Sequence, residues 1–129
     1  KLLLIKTRDG GGTLKIYGES LNPDVPYKTL LMSNNDTAEY AVREILDKYG
    51  VPSTEIDNYC LVLVIMPDKQ EREKNGTQIK EIVLDEDQSP ISVLMSQPPI
   101  KGNISYQIRR CTPQLVAARQ AKKNYELQM

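Results

Sequence analysis

From Cys60 to Ile65 the chain reads Cys-Leu-Val-Leu-Val-Ile, with Tyr59 and Met66 extending the run at either end. A short unbroken apolar stretch of this kind suits a strand buried on both faces at the centre of a sheet. No run in the chain is long enough to span a membrane. A central strand demands neighbours, and the flanking sequence offers them. Leu14 and Ile16 alternate with Thr13, Lys15 and Tyr17, the period of a half-buried strand over 13–17 with Lys15 on its open side. A second strand over 27–33 opens with Tyr27-Lys28-Thr29.

Asp36 is placed to cap a helix over 37–49, whose Ala38, Ala41, Val42, Ile45, Leu46 and Tyr49 fall on one face. Lys48 then emerges near its far end, just before Gly50 stops it. Beyond the central strand, 67–77 alternates charge and ends in Asn75-Gly76, a short hairpin or loop signal, which predicts a mobile, solvated segment. Residues 79–84 make a fourth strand and Asp85-Glu86-Asp87 turns the chain. Ser89-Pro90 starts a short helix burying Ile91 and Leu94, with Met95 beside them. After Gln97-Pro98-Pro99 breaks that helix, Ile104, Tyr106 and Ile108 alternate as a fifth strand. Thr112-Pro113 begins a last helix running to about residue 129, with Leu115, Ala118, Ala121 and Tyr125 on one stripe. The apolar leader before Gly10-Gly11-Gly12 reads as a flexible entry or an added edge strand. The expected organisation is therefore a leader over 1–11, a folded domain over 12–110 and a C-terminal helix over 111–129.

With 129 residues the chain suffices for one domain with its own core. Trp and Phe are absent, so that core is aliphatic and the seven Tyr supply the only rings. The formal net charge is zero, which argues against nucleic acid and against bulk attraction to an anionic membrane, and leaves local patches to carry electrostatic recognition. There is no histidine, hence neither the usual general acid and base nor the commonest metal ligand. Cys60 and Cys111 lack a metal-ligand spacing, and no phosphate loop, cofactor motif or nucleophile with a base is present. The chain is expected to be no enzyme and to need no cofactor and no metal. Lacking an initial Met, it reads as an excerpt of a larger cytoplasmic protein.

The order strand, strand, helix, strand, strand, short helix, strand is that of an α+β, ubiquitin-like β-grasp roll (ββαββαβ), two hairpins bracketing a helix laid across a mixed sheet. In the usual strand order of that roll the fifth strand lies between the first and third, antiparallel to the third. Cys60 and Cys111 then come near one another, and inside a cell they are expected to remain reduced thiols.

At Gly12-Thr-Leu-Lys-Ile-Tyr, Val25-Pro-Tyr-Lys-Thr-Leu-Leu, Asp47-Lys-Tyr-Gly, Asn58-Tyr-Cys-Leu and Lys80-Glu-Ile-Val-Leu-Asp-Glu-Asp, the chain resembles a Ras-associating domain, in particular those of the afadin and canoe adhesion scaffolds. The resemblance covers about 12–110 in consistent order. It implies an effector-type module that recognises a GTP-loaded Ras-family GTPase, Rap or Ras, by pairing its second strand edge to edge with a strand of the GTPase. It also implies that Lys15, Lys28 and Lys48 stand where such domains carry their main contacting cations, with Thr29, Leu30 and Leu31 along the pairing strand. Lys15 replaces the Arg of the Ral guanine nucleotide dissociation stimulator version, which removes a planar bidentate fork. An isolated domain is expected to be monomeric, without direct membrane insertion, and recruited to membranes or junctions through the GTPase or the parent protein.

The acidic turn leaves a second reading open. Asp85-Glu86-Asp87 is either a polar turn closing the fourth strand or an acidic docking patch. The latter would belong to a ubiquitin-like heterodimerisation module that binds a lysine face head to tail, without a GTPase. That reading also accommodates Lys15 and Lys28.

Overall fold

A computed structural model describes residues 4–6, 11–115 and 117 of the chain. Six strands and three helices follow one another as β1 Leu4–Lys6, β2 Gly12–Tyr17, β3 Tyr27–Met32, α1 Ala38–Lys48, β4 Tyr59–Pro67, α2 Lys69–Asn75, β5 Lys80–Val83, α3 Pro90–Met95 and β6 Gly102–Arg110. A 3-10 turn over Ser53–Asn58 leads into β4. The strands form one mixed sheet with α1 across one face, an α+β β-grasp roll. As expected, β6 lies between β2 and β4, parallel to the first and antiparallel to the second.

The neighbours of β2 decide what the sheet leaves open. β3 pairs with it antiparallel along its whole length, Gly12↔Met32 through Tyr17↔Tyr27. β1 pairs at Leu14, Thr13 and Gly12, and β6 at Ile16 and Tyr17. A strand has only two edges. Since β3 occupies one of them throughout, β1 and β6 divide the other, and β1 does not reach β3. Among the described residues, the outer edge of β3 has no strand against it.

The core lies between the sheet and α1. Ala38, Ala41, Val42, Ile45 and Leu46 of α1 pack with Leu14, Ile16, Leu30, Met32, Leu61, Leu63, Ile65 and Ile108. Each fully buried Leu or Ile contributes about 1.5–3 kcal/mol of transfer free energy, so this aliphatic layer stabilises the roll without Trp or Phe. The one large ring in it, Tyr106, donates its hydroxyl to the Pro90 carbonyl at 2.8 Å, and burial pushes its phenol well above the usual range. On the opposite face Cys60, Val62, Val64 and Val83 form a second small cluster against which Cys111 and Leu115 pack. β4 is therefore buried on both faces, as its unbroken apolar run requires.

Three local expectations are corrected. Thr37, not Asp36, is the N-cap of α1, its Oγ1 accepting from the Tyr40 N–H at 3.2 Å. Asp36 instead accepts from the Ser33 N–H at 2.8 Å and shapes the entry turn. The 67–77 segment holds α2, capped by Asp68, which accepts from the Glu71 N–H, and ended by Gly76 in the left-handed region at φ 66°. It buries no residue, so no apolar periodicity announced it. Asn75-Gly76, the hairpin or loop signal, closes that helix. Met95 is exposed at the end of α3. Of the expected last helix, residues 113–115 are helical and Thr112 accepts from the Leu115 N–H; Ala118, Ala121 and Tyr125 lie outside the described residues.

Candidate functional site

The hydrogen-bond alternation of an antiparallel pair shows which backbone groups of β3 face outward. Gly18 N–H donates to the Pro26 carbonyl at 3.0 Å, making 18 and 26 a hydrogen-bonded pair at the mouth of the hairpin. Along the same register every second pair bonds, so Lys28, Leu30 and Met32 turn both backbone groups toward β2. Tyr27, Thr29 and Leu31 turn theirs to the open edge. The side chains of these three residues are all exposed, with Leu31 at 65% and Tyr27 at 41%, on the sheet face away from α1.

This alternation divides the six residues that sequence reasoning assigned to partner binding. Thr29 and Leu31 offer free backbone groups and exposed side chains. Leu30 offers neither, because its side chain is 5% exposed in the core and its backbone bonds to β2. Lys15 and Lys28 emerge on opposite faces of the β2–β3 ribbon. Lys15 lies on the open face, its Nζ 4.2 Å from the centroid of the Tyr27 ring, which in turn leans on Tyr17 with centroids 5.8 Å apart. Lys28 points to the helix side, its Nζ 5.7 Å from the centroid of Tyr49, the residue that ends α1. Lys48, one position earlier, is exposed on the last turn of α1, where a cation also complements the helix dipole. The open edge is thus flanked by one cation on the outer face and two toward the helix end.

Two residues that sequence reasoning did not assign to the site organise it. Tyr27 holds Lys15 and presents an outward backbone pair; the strand alternation alone would have singled it out. In the sequence Tyr49 is one more position on the apolar helix face. Its hydroxyl donates to the Val25 carbonyl at 2.7 Å. Burial pushes its phenol up and the Glu19 charge adds to it, against an opposing effect of the nearby Gly18 backbone. A Cβ on Gly18 would sit 2.6 Å from the Tyr49 ring, so glycine is required there by close approach.

The acidic turn has a structural job. Asp85 is 3% exposed, its N–H donating to Gln88 Oε1, and among the described residues Asp85 Oδ1 has no hydrogen-bond partner. The carbonyls of Gln88 and Glu86 accept from the Ala38 and Glu39 N–H groups at 2.8 and 3.0 Å, satisfying the first donors of α1. Only Glu86 and Asp87 are exposed there. On the sheet face away from α1, Arg109 makes a bidentate pair with Glu81 at 2.9 and 2.7 Å and also bonds Gln107. Those hydrogen bonds hold the Glu81 carboxyl below its ordinary range, against the opposing effect of partial burial. Among the described residues no group of three or more His, Cys, Asp or Glu is arranged to hold a metal ion, and no helix is long and apolar enough to cross a membrane.

An open strand edge with flanking cations is suited to strand addition. Backbone hydrogen bonds supply affinity, and the charges supply register and association rate. Residues 10–113 match the family model described as Ras association (RalGDS/AF-6) domain. Among solved structures, the chain is similar to the Rasip1 RA domain, at 24% identity over 85% of this chain and 96% of that one, with a TM-score of 0.61. It is also similar to a candidate Ras interaction domain of AFD-1, isoform a, from Caenorhabditis elegans, at 22% identity over 81% and 97%, with a TM-score of 0.56. At these identities the two structures bear on the fold alone.

Proposed function

The chain belongs to the Ras association (RalGDS/AF-6) domain family, an interaction module rather than an enzyme, and from that premise we propose that it reads the GTP-bound state of a Ras-family GTPase. Rap is the first choice and Ras the second, within an adhesion scaffold of the afadin and canoe type and on the cytoplasmic side of membranes or junctions. The domain extends over 12–110 and acts as a monomer. The observation that carries the reading is the outer edge of β3, where Tyr27, Thr29 and Leu31 present unpaired backbone groups between Lys15 on one face and Lys28 with Lys48 on the other. Partly desolvated charge-assisted hydrogen bonds contribute on the order of 1.5–3 kcal/mol each and solvated rim pairs about 0–1. A few such contacts over an interface of modest area give roughly micromolar binding, suited to a reversible signal. The acidic-turn heterodimer is less well supported, because Asp85 is buried and the carbonyls beside it cap α1.

The test is titration of the domain against a panel of Ras-family GTPases loaded with GTP analogue or GDP. Binding should favour the GTP form by at least about tenfold; equal affinity for both nucleotide states would overturn the effector reading.

A further inference from the structure

Lys28 and Lys48 come from different elements, a strand and a helix end, so their mutual placement depends on what locks the β2–β3 hairpin to α1. Beyond the shared apolar core, one side chain ties the hairpin turn to the helix end. The Tyr49 hydroxyl donates to the Val25 carbonyl at 2.7 Å and so holds the hairpin turn just before β3. Its ring faces Lys28 Nζ at 5.7 Å, and its own backbone follows Lys48 at the end of α1. Gly18 admits the ring by having no Cβ, and the Tyr49 N–H closes the last turn on the Ile45 carbonyl at 3.0 Å.

We propose that Tyr49 is the positioning residue of the basic edge, fixing the hairpin to the end of α1 so that Lys28 and Lys48 meet an acidic segment of the partner as one preset pair. The inference rests on the effector reading for its consequence but not for its geometry. Long lysine side chains lose rotamer freedom when they bind, and a cation already held over a ring loses less of it. Removing the hydroxyl frees the turn while leaving the ring, so the two functions separate.

Two measurements decide it. In the unbound wild-type domain, the Lys28 ε-methylene protons should be displaced upfield by the Tyr49 ring current, and Gly18→Ala, which crowds the ring, should return them toward ordinary values. Unshifted Lys28 resonances in the wild type would overturn the geometry whatever the domain binds. For the consequence, Tyr49→Phe should weaken GTP-form GTPase binding about fivefold, close to one neutral hydrogen bond. In a Lys28→Ala background the same change should cost less than about twofold, because residues acting through one another are not additive. Equal losses in both backgrounds would make Tyr49 a general structural residue and overturn the proposal. If the wild type binds no GTPase in either nucleotide state, the effector reading fails and the resonance test still decides the role of Tyr49.

Discussion

Replacing Thr29 by Pro removes one backbone N–H, and the register of β3 says that this donor faces outward rather than toward β2. Proline is tolerated on an edge strand where the missing N–H would have met solvent. The cost to the fold is then bounded by the roughly 1 kcal/mol spread of strand propensities. For a domain of this size that lowers the melting temperature by no more than about 5 °C. Binding should suffer far more. The partner loses one backbone hydrogen bond worth about 0.5–1.5 kcal/mol, and the carbonyl that would have received it is left desolvated at about 1–3 kcal/mol. Together, about 1.5–4.5 kcal/mol corresponds to a loss of roughly ten- to two-thousandfold. Calorimetric titration against the GTP-loaded partner reads the affinity, and a thermal melt on the same sample reads the fold. Lys28→Pro is the paired control: its N–H bonds to β2 opposite Ile16, so that variant should lose several kcal/mol of stability and melt early. Wild-type affinity in a folded Thr29→Pro domain would refute strand addition at β3, and unfolding of Thr29→Pro would refute the assigned register.

Lys28→Glu places like charge where the partner's acidic segment is expected and should reduce binding at least about a hundredfold in the same titration, with little change in the melt. Binding should weaken with added salt, since exposed charges are screened beyond about 8 Å at physiological ionic strength, and Lys15→Ala should flatten that dependence; an affinity indifferent to salt would make the lysines bystanders. Glu81→Gln breaks the bidentate pair with Arg109. Because the folded Glu81 carboxyl titrates below its ordinary value of 4.5, the stability it adds is present above that pH and is lost as pH falls through the lowered value. Wild type should therefore exceed Glu81→Gln by up to about 1 kcal/mol at pH 7, given the solvent exposure of the pair. Denaturant melts of the two proteins should converge as pH falls below that lowered value.

Periodicity alone determined much of this protein. The unbroken Cys60–Ile65 run marks the central strand, the alternations in β2 and β6 mark half-buried strands, and the apolar stripe of α1 marks the helix that covers them. These patterns are legible because burial repeats with the geometry of each element, every second residue in a strand and every third or fourth in a helix. The motif resemblance added Lys15, Lys28 and Lys48, each standing on the element expected. What periodicity does not encode is direction relative to a neighbour. Which backbone groups of β3 face out depends on its register with β2, and that register removes Leu30 from the edge and brings Tyr27 into it. Which of two adjacent cap formers acts depends on where the chain turns helical, so Thr37 and not Asp36 caps α1. α2 has no buried face and left no pattern to read. The acidic turn is drawn inward by the unpaired N–H groups of α1, a demand set by an element far from it in sequence. Tyr49 likewise looked like one more apolar position on a helix, and only the arrival of the hairpin carbonyl at Val25 gave its hydroxyl a partner.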